Sequence, residues 1–249
     1  MNSSFFKIFF ATFILSLGIH ATVWAQAGSI EIQPDVPAYI ATPELRDQNS
    51  FPAIILIHEW WGLTPQIKDL ADQFAAKGYV ALAVDLYRGK ETLDPGEAHE
   101  LMRGLPEDRA YGDLKQAVTY LQNHKLVDRN RVGVIGWCMG GGYALELGVR
   151  DIRLKAVVMY YGKVITNEDR LLTLKAPLLG IFGALDRGIS AKDVDEFKIR
   201  LERLGKSAEI HLYPEAGHAF ANPLNPNYRK DDADDAWHKT LLFFKQHLI

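Results

Sequence analysis

The sequence predicts a single α/β domain built on a doubly wound, mostly parallel β-sheet with helices on both faces. Short apolar runs of strand length alternate with amphipathic helical stretches through most of the chain, which is typical of β-α-β units. Several runs are apolar at every position, as expected for parallel strands covered on both faces. A length of 249 residues and a hydrophobic content of 48% suit one domain with a full core.

The predicted strands come from apolar runs that are bounded by turn residues. The first two flank the turn Pro34-Asp35 and are expected at an edge of the sheet. In chain order the predicted strands are Gly28 to Gln33, Pro37 to Thr42, Phe51 to His58, Tyr79 to Val84, Arg131 to Ile135, Leu154 to Tyr160, Pro177 to Phe182 and Ser207 to Tyr213.

Helices are predicted where apolar residues recur at helical spacing between these strands. The first begins at Pro65, with Thr64 as its N-cap, and ends at Gly78. The polar stretch Asp85 to Glu107 is expected to cross the strand ends, where substrate-selecting loops belong. The other predicted helical stretches are Glu97 to Met102, Asp108 to His124, Tyr143 to Gly148 and Asp193 to Leu204. A C-terminal helix follows the acidic run Asp231 to Asp235, and its predicted buried residues are Trp237, Leu241, Phe244 and Leu248.

Residues 1–25 have the composition of a secretory signal peptide. Lys7 precedes an almost wholly apolar run from Ile8 to Ile19, and Ala21 to Ala25 supplies the small residues of a cleavage point. The apolar run is shorter than the roughly 20 residues that a membrane-spanning helix needs, and an uncleaved anchor is the alternative. The mature domain is therefore predicted to comprise residues 26–249 and to be secreted or periplasmic, with no membrane contact after cleavage.

Composition narrows the possible functions. A formal net charge of -3 and the lack of a basic stripe argue against a nucleic-acid surface. The single cysteine, Cys138, excludes an intrachain disulfide and a cysteine-based zinc cage. No cluster of His, Cys, Asp or Glu has metal-ligand spacing, since His58-Glu59 lacks the second histidine of H-E-x-x-H. The chain is therefore expected to act as a monomer on a small molecule, without a metal, another cofactor or a nucleic-acid partner.

The stretch around Cys138 has the pattern of a nucleophile elbow. A β-branched run from Arg131 to Ile135 leads into it, Gly136 and Gly140 flank the cysteine as G-x-C-x-G, and a helix follows. Small flanking residues are needed because the strained turn brings strand and helix backbones together. The thiol would lie at a helix N-terminus, whose dipole favours a thiolate. The alternative interpretation is a glycine-rich turn with a buried cysteine. Candidate partner residues elsewhere in the chain must decide between the two interpretations.

Two later strand ends carry candidate partners for this thiol. Asp186 follows the strand that ends at Phe182, and His218 follows the strand that ends at Tyr213. Functional groups gather at the carboxyl ends of parallel strands. The chain order of nucleophile, acid and base is that of the α/β-hydrolase fold, in which Asp186 would orient the imidazole and His218 would take and return a proton.

Glu59 ends the first central strand, in the loop that usually gives one amide of an oxyanion hole. The backbone N–H groups of Trp60 and Met139 are the predicted pair, because the second amide normally comes from the residue after the nucleophile. A glutamate close to the thiol would oppose its ionisation, so Glu59 is predicted to keep Cys138 neutral until the carboxylate moves. Surface placement of Glu59 is the alternative.

At these residues the chain resembles the dienelactone hydrolase family, the carboxymethylenebutenolidase-like branch of the α/β hydrolases, from about Gly28 to the C-terminus. The resemblance implies a Cys138-His218-Asp186 triad, a glutamate at Glu59 that contacts the thiol at rest, and lactone opening through a thioester. The motifs that carry it are His58-Glu59-Trp60-Trp61-Gly62, Asp85-Leu86-Tyr87-Arg88, Gly136-Trp137-Cys138-Met139-Gly140-Gly141, Asp186 and Gly217-His218-Ala219-Phe220.

Two features depart from the family pattern. The family holds a substrate carboxylate with two arginines; Arg88 stands about one position from the first, and Asn222 occupies the place of the second. Arg88, Trp61 and Asn222 are the predicted substrate contacts. Because Asn222 replaces an arginine, the sequence does not decide which lactone the protein prefers. The signal peptide is the other departure. Two alternatives remain. One is a general small-ester or thioester hydrolase, and the other is a non-catalytic protein that binds a ligand or senses peroxide through Cys138.

Overall fold

The computed structural model describes residues 27–44 and 50–249. The predicted signal peptide, its cleavage point and the start of the mature chain at residue 26 lie outside the described residues. Eight strands form one sheet: β1 (Ala27–Glu31), β2 (Pro37–Ala41), β3 (Phe51–Ile57), β4 (Val80–Val84), β5 (Val127–Trp137), β6 (Ala156–Tyr160), β7 (Leu178–Gly183) and β8 (Ala208–Tyr213).

The helices lie between the strands in the alternation that the sequence predicts. In chain order they are α1 (Pro65–Ala76), α2 (Pro95–Arg103), α3 (Glu107–Asn123), α4 (Met139–Arg150), α5 (Glu168–Leu172), α6 (Ala191–Arg203) and α7 (Lys230–Leu248). None of the helices in the described ranges is both long enough and apolar enough to cross a membrane.

The sheet has the spatial order β1-β2-β4-β3-β5-β6-β7-β8. The hairpin of β1 and β2 pairs antiparallel, and β2 pairs antiparallel with β4; every other pair is parallel. In the parallel part, the strand ends that carry the predicted functional residues meet at one edge. The predicted fold class, a doubly wound and mostly parallel α/β sheet, is confirmed.

Apolar layers cover both faces of the sheet. Alternate residues of β3 point to opposite layers, with Ile55 in one and Ile54 in the other. Helices α3, α4 and α6 pack on the first face, and α1 and α7 pack on the second. Every residue of β3 and β4 is buried as a result, which explains why these strands are apolar throughout.

Three helices differ from the sequence prediction. Helix α4 begins directly at Met139 instead of near Tyr143, so Cys138 is its N-cap residue. Helix α7 begins at Lys230, which places Asp231 and Asp232 in its first turn instead of ahead of it. Helix α5 was not predicted, since five residues are too few for a helical periodicity; its one local signal is Asn167, whose side chain accepts a hydrogen bond from the Arg170 N–H.

Candidate active site

Cys138 lies at a sharp turn between β5 and α4. Its backbone is strained, with a φ of 53° and a ψ of -116°. A side chain at Gly136 would collide with the backbone of Gly140, and one at Gly140 would collide with the carbonyl oxygen of Ile57. The two glycines are therefore required for this turn, and the thiol is held at the carboxyl edge of the sheet.

The structure brings Cys138, His218 and Asp186 into one hydrogen-bonded line. His218 Nε2 lies 3.1 Å from Cys138 Sγ, and His218 Nδ1 lies 2.6 Å from Asp186 Oδ2. The other carboxylate oxygen, Oδ1, accepts hydrogen bonds from the backbone N–H groups of Gly188 at 2.7 Å and Ile189 at 3.1 Å. The carboxylate is thereby fixed in the orientation that aims the imidazole at the sulfur.

The charges along this line support one another. Burial alone would raise the pKa of Asp186, but the contact with His218 and the two amide hydrogen bonds outweigh it and hold that pKa below its ordinary value. Burial would lower the pKa of His218, yet its hydrogen bonds with Asp186 and Cys138 raise that pKa to about 10. Its contacts with the carboxylate and the sulfur therefore make the imidazole more basic than an isolated histidine, which is the direction that favours proton transfer from the thiol.

The backbone amides of Trp60 and Met139 directly follow Glu59 and Cys138 in the sequence. Within the described chain, the N–H groups of Trp60 and Met139 have no hydrogen-bond acceptor. Met139 is the first residue of α4, where the amides of a helix lack intrahelical partners. The two amides predicted as an oxyanion hole are thus both free to donate to a ligand.

His58 fixes the direction of the Trp60 amide. Its Nε2 accepts a hydrogen bond from the Leu86 N–H at 3.1 Å, so the proton is on Nδ1, which lies 2.5 Å from the Glu59 carbonyl oxygen. Burial lowers the pKa of His58, which keeps the fully buried ring neutral. Because the carbonyl and N–H of a trans peptide point in opposite directions, this bond turns the Trp60 N–H away from His58.

Glu59 is held by neighbours other than the thiol. Its side chain accepts hydrogen bonds from Tyr161 Oη at 3.2 Å and from Asn222 Nδ2 at 2.6 Å, and the residue is 4% exposed. Burial raises the pKa of Glu59, and these two hydrogen bonds and the charge of His218 offset the rise only in part. Among the described residues the Glu59 carboxylate hydrogen-bonds with Tyr161 and Asn222 and the thiol with His218, so the gating of Cys138 by Glu59 stays a prediction.

Two of the three predicted substrate contacts are engaged inside the protein. Asn222 is buried, donates to Glu59 and accepts a hydrogen bond from the Leu224 N–H through Oδ1. The Arg88 guanidinium lies 2.8 Å from Asp113 of α3 and forms no hydrogen bond with a side chain of the site. Asn222 is thus committed to internal partners, whereas Nη1 of Arg88 is buried without a hydrogen-bond partner among the described residues.

Trp61, the third predicted contact, is half-buried in an aromatic wall beside the Trp60 amide. The two indole rings meet edge to face with centroids 4.9 Å apart, and the His99 ring of α2 lies 6.5 Å from that of Trp60. The Trp61 carbonyl also accepts a hydrogen bond from the Thr92 N–H, which joins this wall to the segment before α2. Apolar groups of a substrate can pack here.

Two tyrosines at the site, Tyr161 and Tyr87, were not among the predicted site residues. Tyr161 directly follows β6, has a φ of 36°, donates to Glu59 and packs its ring edge against His218 with centroids 5.2 Å apart. Tyr87 places its hydroxyl 3.3 Å from Met139 Sδ. Both follow strands of the parallel sheet, so their position at the carboxyl strand ends was the signal that could have found them.

The described residues contain no group of three or more His, Cys, Asp or Glu side chains that could hold a metal ion. The polar groups of the site are instead engaged with one another. The arrangement offers a nucleophile, a base oriented by a carboxylate, and two backbone donors, which together suit acyl transfer.

Comparison with known proteins agrees with this geometry. The chain matches the dienelactone hydrolase family model over residues 36–248. It is 32% identical over 238 residues to a candidate carboxymethylenebutenolidase of Methylorubrum extorquens, and the match covers 89% of this chain and 81% of that relative. It is also 32% identical over 234 residues to a candidate carboxymethylenebutenolidase of Escherichia coli K12, and this match covers 88% of this chain and 86% of that relative. A crystal structure of a candidate dienelactone hydrolase from Klebsiella pneumoniae superposes with a TM-score of 0.82 at 31% identity, covering 90% of this chain and 99% of that one. The chain therefore belongs to the dienelactone hydrolase family.

Proposed function

We propose that this chain hydrolyses small carboxylic esters and lactones, with Cys138 as nucleophile, His218 as base and Asp186 as the group that orients the base. The observation that carries the proposal is the continuous line of hydrogen bonds from Asp186 through His218 to a thiol held on a strained turn. The names of the relatives, candidate carboxymethylenebutenolidases, support a lactone as the substrate. A binding protein or thiol sensor has no need of the oriented imidazole or of two free amides.

Acylation follows from the geometry. His218 Nε2 takes the proton of Cys138, and the thiolate adds to the carbonyl carbon to form a C–S bond. The oxygen becomes an oxyanion and accepts hydrogen bonds from the Trp60 and Met139 amides. When the tetrahedral adduct collapses, the ester C–O bond breaks and His218 returns its proton to the departing alkoxide. In a lactone, that alcohol stays tethered to the acyl-enzyme.

Deacylation uses the same groups. His218 removes a proton from water, and the resulting hydroxide adds to the thioester carbonyl while the two amides again bind the oxyanion. Collapse of this adduct breaks the C–S bond, and His218 protonates the released thiolate. Because His58 already orients the Trp60 amide, this donor does not need to be reoriented when charge develops on the substrate oxygen.

The proposal is tested by a substrate panel combined with detection of the intermediate. We expect hydrolysis of dienelactone and of aryl acetates, with a pre-steady-state burst of the aryl alcohol equal to the enzyme concentration. Acid quenching during turnover and peptide mass spectrometry should find the acyl group on Cys138, which is the single cysteine of the chain. An acyl group found on any other residue, or no hydrolysis of either class, would contradict the proposal.

We also propose that the mature enzyme acts outside the cytoplasm, on the strength of the charged start, apolar run and small-residue end of residues 1–25. When the full chain is expressed in a bacterium, the enzyme should be recovered in the periplasmic or secreted fraction. N-terminal sequencing of that protein should begin at or near Gln26. Recovery of the enzyme from the cytosol with Met1 and the apolar run retained would refute this.

A further inference from the structure

A cavity of about 270 Å³ opens between α1 and α7, on the face of the sheet that these two helices cover. Exposed residues such as Asp69 of α1 line its opening, and buried residues such as Glu59 and Tyr161 line its inner end. Neither the nucleophile Cys138 nor the base His218 lines it. Its volume lies just below the roughly 300 to 1,000 Å³ of typical small-molecule sites, so it suits a small ligand.

Aromatic side chains form much of the wall of this cavity. The ring centroids of Trp137 and Tyr160 are 5.8 Å apart and those of Tyr160 and Tyr161 are 5.9 Å apart, so three of the lining rings follow one another. Trp237 lines the cavity from α7, and its ring packs against Phe74 of α1 with centroids 4.8 Å apart. Such rings bind apolar groups and, through their negative faces, also cations.

The charged residues of the lining are all acidic. Glu59, Asp69 and Asp234 line the cavity, and none of the described lining residues is a lysine, arginine or histidine. Lys230 pairs with Asp234, whereas Asp69 forms no ion pair with any residue that the structure describes. Lys230 therefore balances one of the three carboxylates, and a cationic ligand would match the charge of the others.

Glu59 is a buried carboxyl group without a cationic side chain of its own. It is 4% exposed, and its two oxygens accept hydrogen bonds from the neutral side chains of Tyr161 and Asn222. The charge of His218 also acts on it, but His218 is hydrogen-bonded to the other two residues of the triad. A carboxylate buried in this way is costly unless a positive charge balances it, and each oxygen keeps a lone pair for a further donor.

We propose that this cavity binds a small alkylammonium ion, with the charged head at the Glu59 carboxylate and the carbon groups against Trp137, Tyr160 and Trp237. The carboxylate of Asp69 at the opening would attract the cation. A primary ammonium can donate to the remaining lone pairs of Glu59, and a methylated ammonium can pack on the rings. The inference goes beyond ester hydrolysis, because binding here is reversible and involves neither the nucleophile nor the base.

The test is isothermal titration calorimetry of the purified protein with two matched pairs of probes. Choline is compared with 3,3-dimethylbutan-1-ol, and n-butylammonium with n-pentanol, so that each cation has an uncharged counterpart of similar shape. We expect at least one cation to bind at least about tenfold more tightly than its counterpart, as one buried contact with a charged group provides. The cation that binds more tightly identifies the preferred head group.

Variants then locate the bound cation. Glu59→Gln should weaken binding by at least about tenfold, because it removes the charge and keeps the shape, and the new amide can still pair with Tyr161 and Asn222. Trp237→Leu should weaken binding by about fivefold through loss of one aromatic ring. Asp231→Asn is a matched control for net charge that should bind as wild type does, because Asp231 lies exposed in the first turn of α7 and does not line the cavity.

Two further variants keep the test decisive. Asp69→Asn, at the exposed opening, should weaken binding by about twofold, and added NaCl should abolish this difference. Cys138→Ala should bind the cation with wild-type affinity, because Cys138 does not line the cavity. Thermal unfolding of each variant confirms that it is folded.

Several outcomes would overturn the proposal. These are equal affinities for both cations and their uncharged counterparts, no binding of either cation, and a loss in Asp231→Asn as large as that in Glu59→Gln. Loss of binding in Cys138→Ala would place the cation in the active site instead. Failure of the proposed function is distinguishable, since it would abolish turnover and leave these binding measurements unchanged.

Discussion

Cys138→Ala is expected to lower kcat for ester and lactone hydrolysis by at least about a thousandfold, because it removes the nucleophile of the proposed mechanism. The turn should be unaffected, since its geometry depends on Gly136 and Gly140 and alanine is no larger than cysteine. Pre-steady-state kinetics with excess aryl ester should show no burst of aryl alcohol. Thermal unfolding should show a midpoint close to that of wild type.

Cys138→Ser is the matched variant, because it keeps the shape and offers an oxygen nucleophile to the same imidazole. Its hydroxyl is far less acidic than a thiol, so we expect activity well below wild type yet above that of Cys138→Ala. Wild-type kcat in Cys138→Ala would refute the whole mechanism.

Asp186→Asn is expected to lower kcat by about 10³- to 10⁴-fold, as loss of the orienting carboxylate does in comparable triads. The amide oxygen can still accept from the Gly188 and Ile189 N–H groups, so the loop should keep its shape. The amide nitrogen would then donate to His218 Nδ1, so the imidazole proton would have to lie on Nε2. A protonated Nε2 cannot accept the proton of the thiol. The kcat of this variant should be measured across pH together with its unfolding midpoint.

The pH response gives this prediction a second readout. Asp186 raises the pKa of His218, so its removal should lower that pKa and weaken the imidazole as the base that removes the thiol proton. Alkylation of Cys138 by iodoacetamide at neutral pH should therefore slow in Asp186→Asn. A kcat within tenfold of wild type, or an unchanged alkylation rate, would show that Asp186 does not orient the base.

Much of the fold follows from the sequence because the burial of the strands leaves a simple pattern. β3 and β4 are covered on both faces, so their apolar runs were visible along almost their full length. Gly78 marked the end of α1 correctly, with a φ of 91°. The start of α4 was placed too late, because Gly140 and Gly141 have low helix propensity and are fixed by close packing against Ile57 and Tyr160 instead.

Site residues that directly follow an apolar strand could be predicted from the sequence. Side-chain pairings that depend on how separate elements pack against one another could not. Cys138, His218 and Asp186 follow strands, and the structure brings them together. The pairing of Arg88 with Asp113 depends on how α3 lies against the loop after β4, which no local pattern encodes. The contact between Asn222 and Glu59 joins residues 163 positions apart, and it decides which side of the site the glutamate faces.

Four non-glycine residues at the carboxyl strand ends have a positive φ, namely Arg88, Cys138, Tyr161 and Ala219, with values from 36° to 59°. Such conformations cost of order 1 to 3 kcal/mol each, against a net folding stability of about 5 to 15 kcal/mol for a typical domain. The reactive edge therefore lowers the thermal tolerance of the whole molecule, and the two apolar layers must offset it. Gains in heat resistance obtained by relaxing these four turns would come at the expense of turnover, whereas gains obtained at the hairpin of β1 and β2 would not.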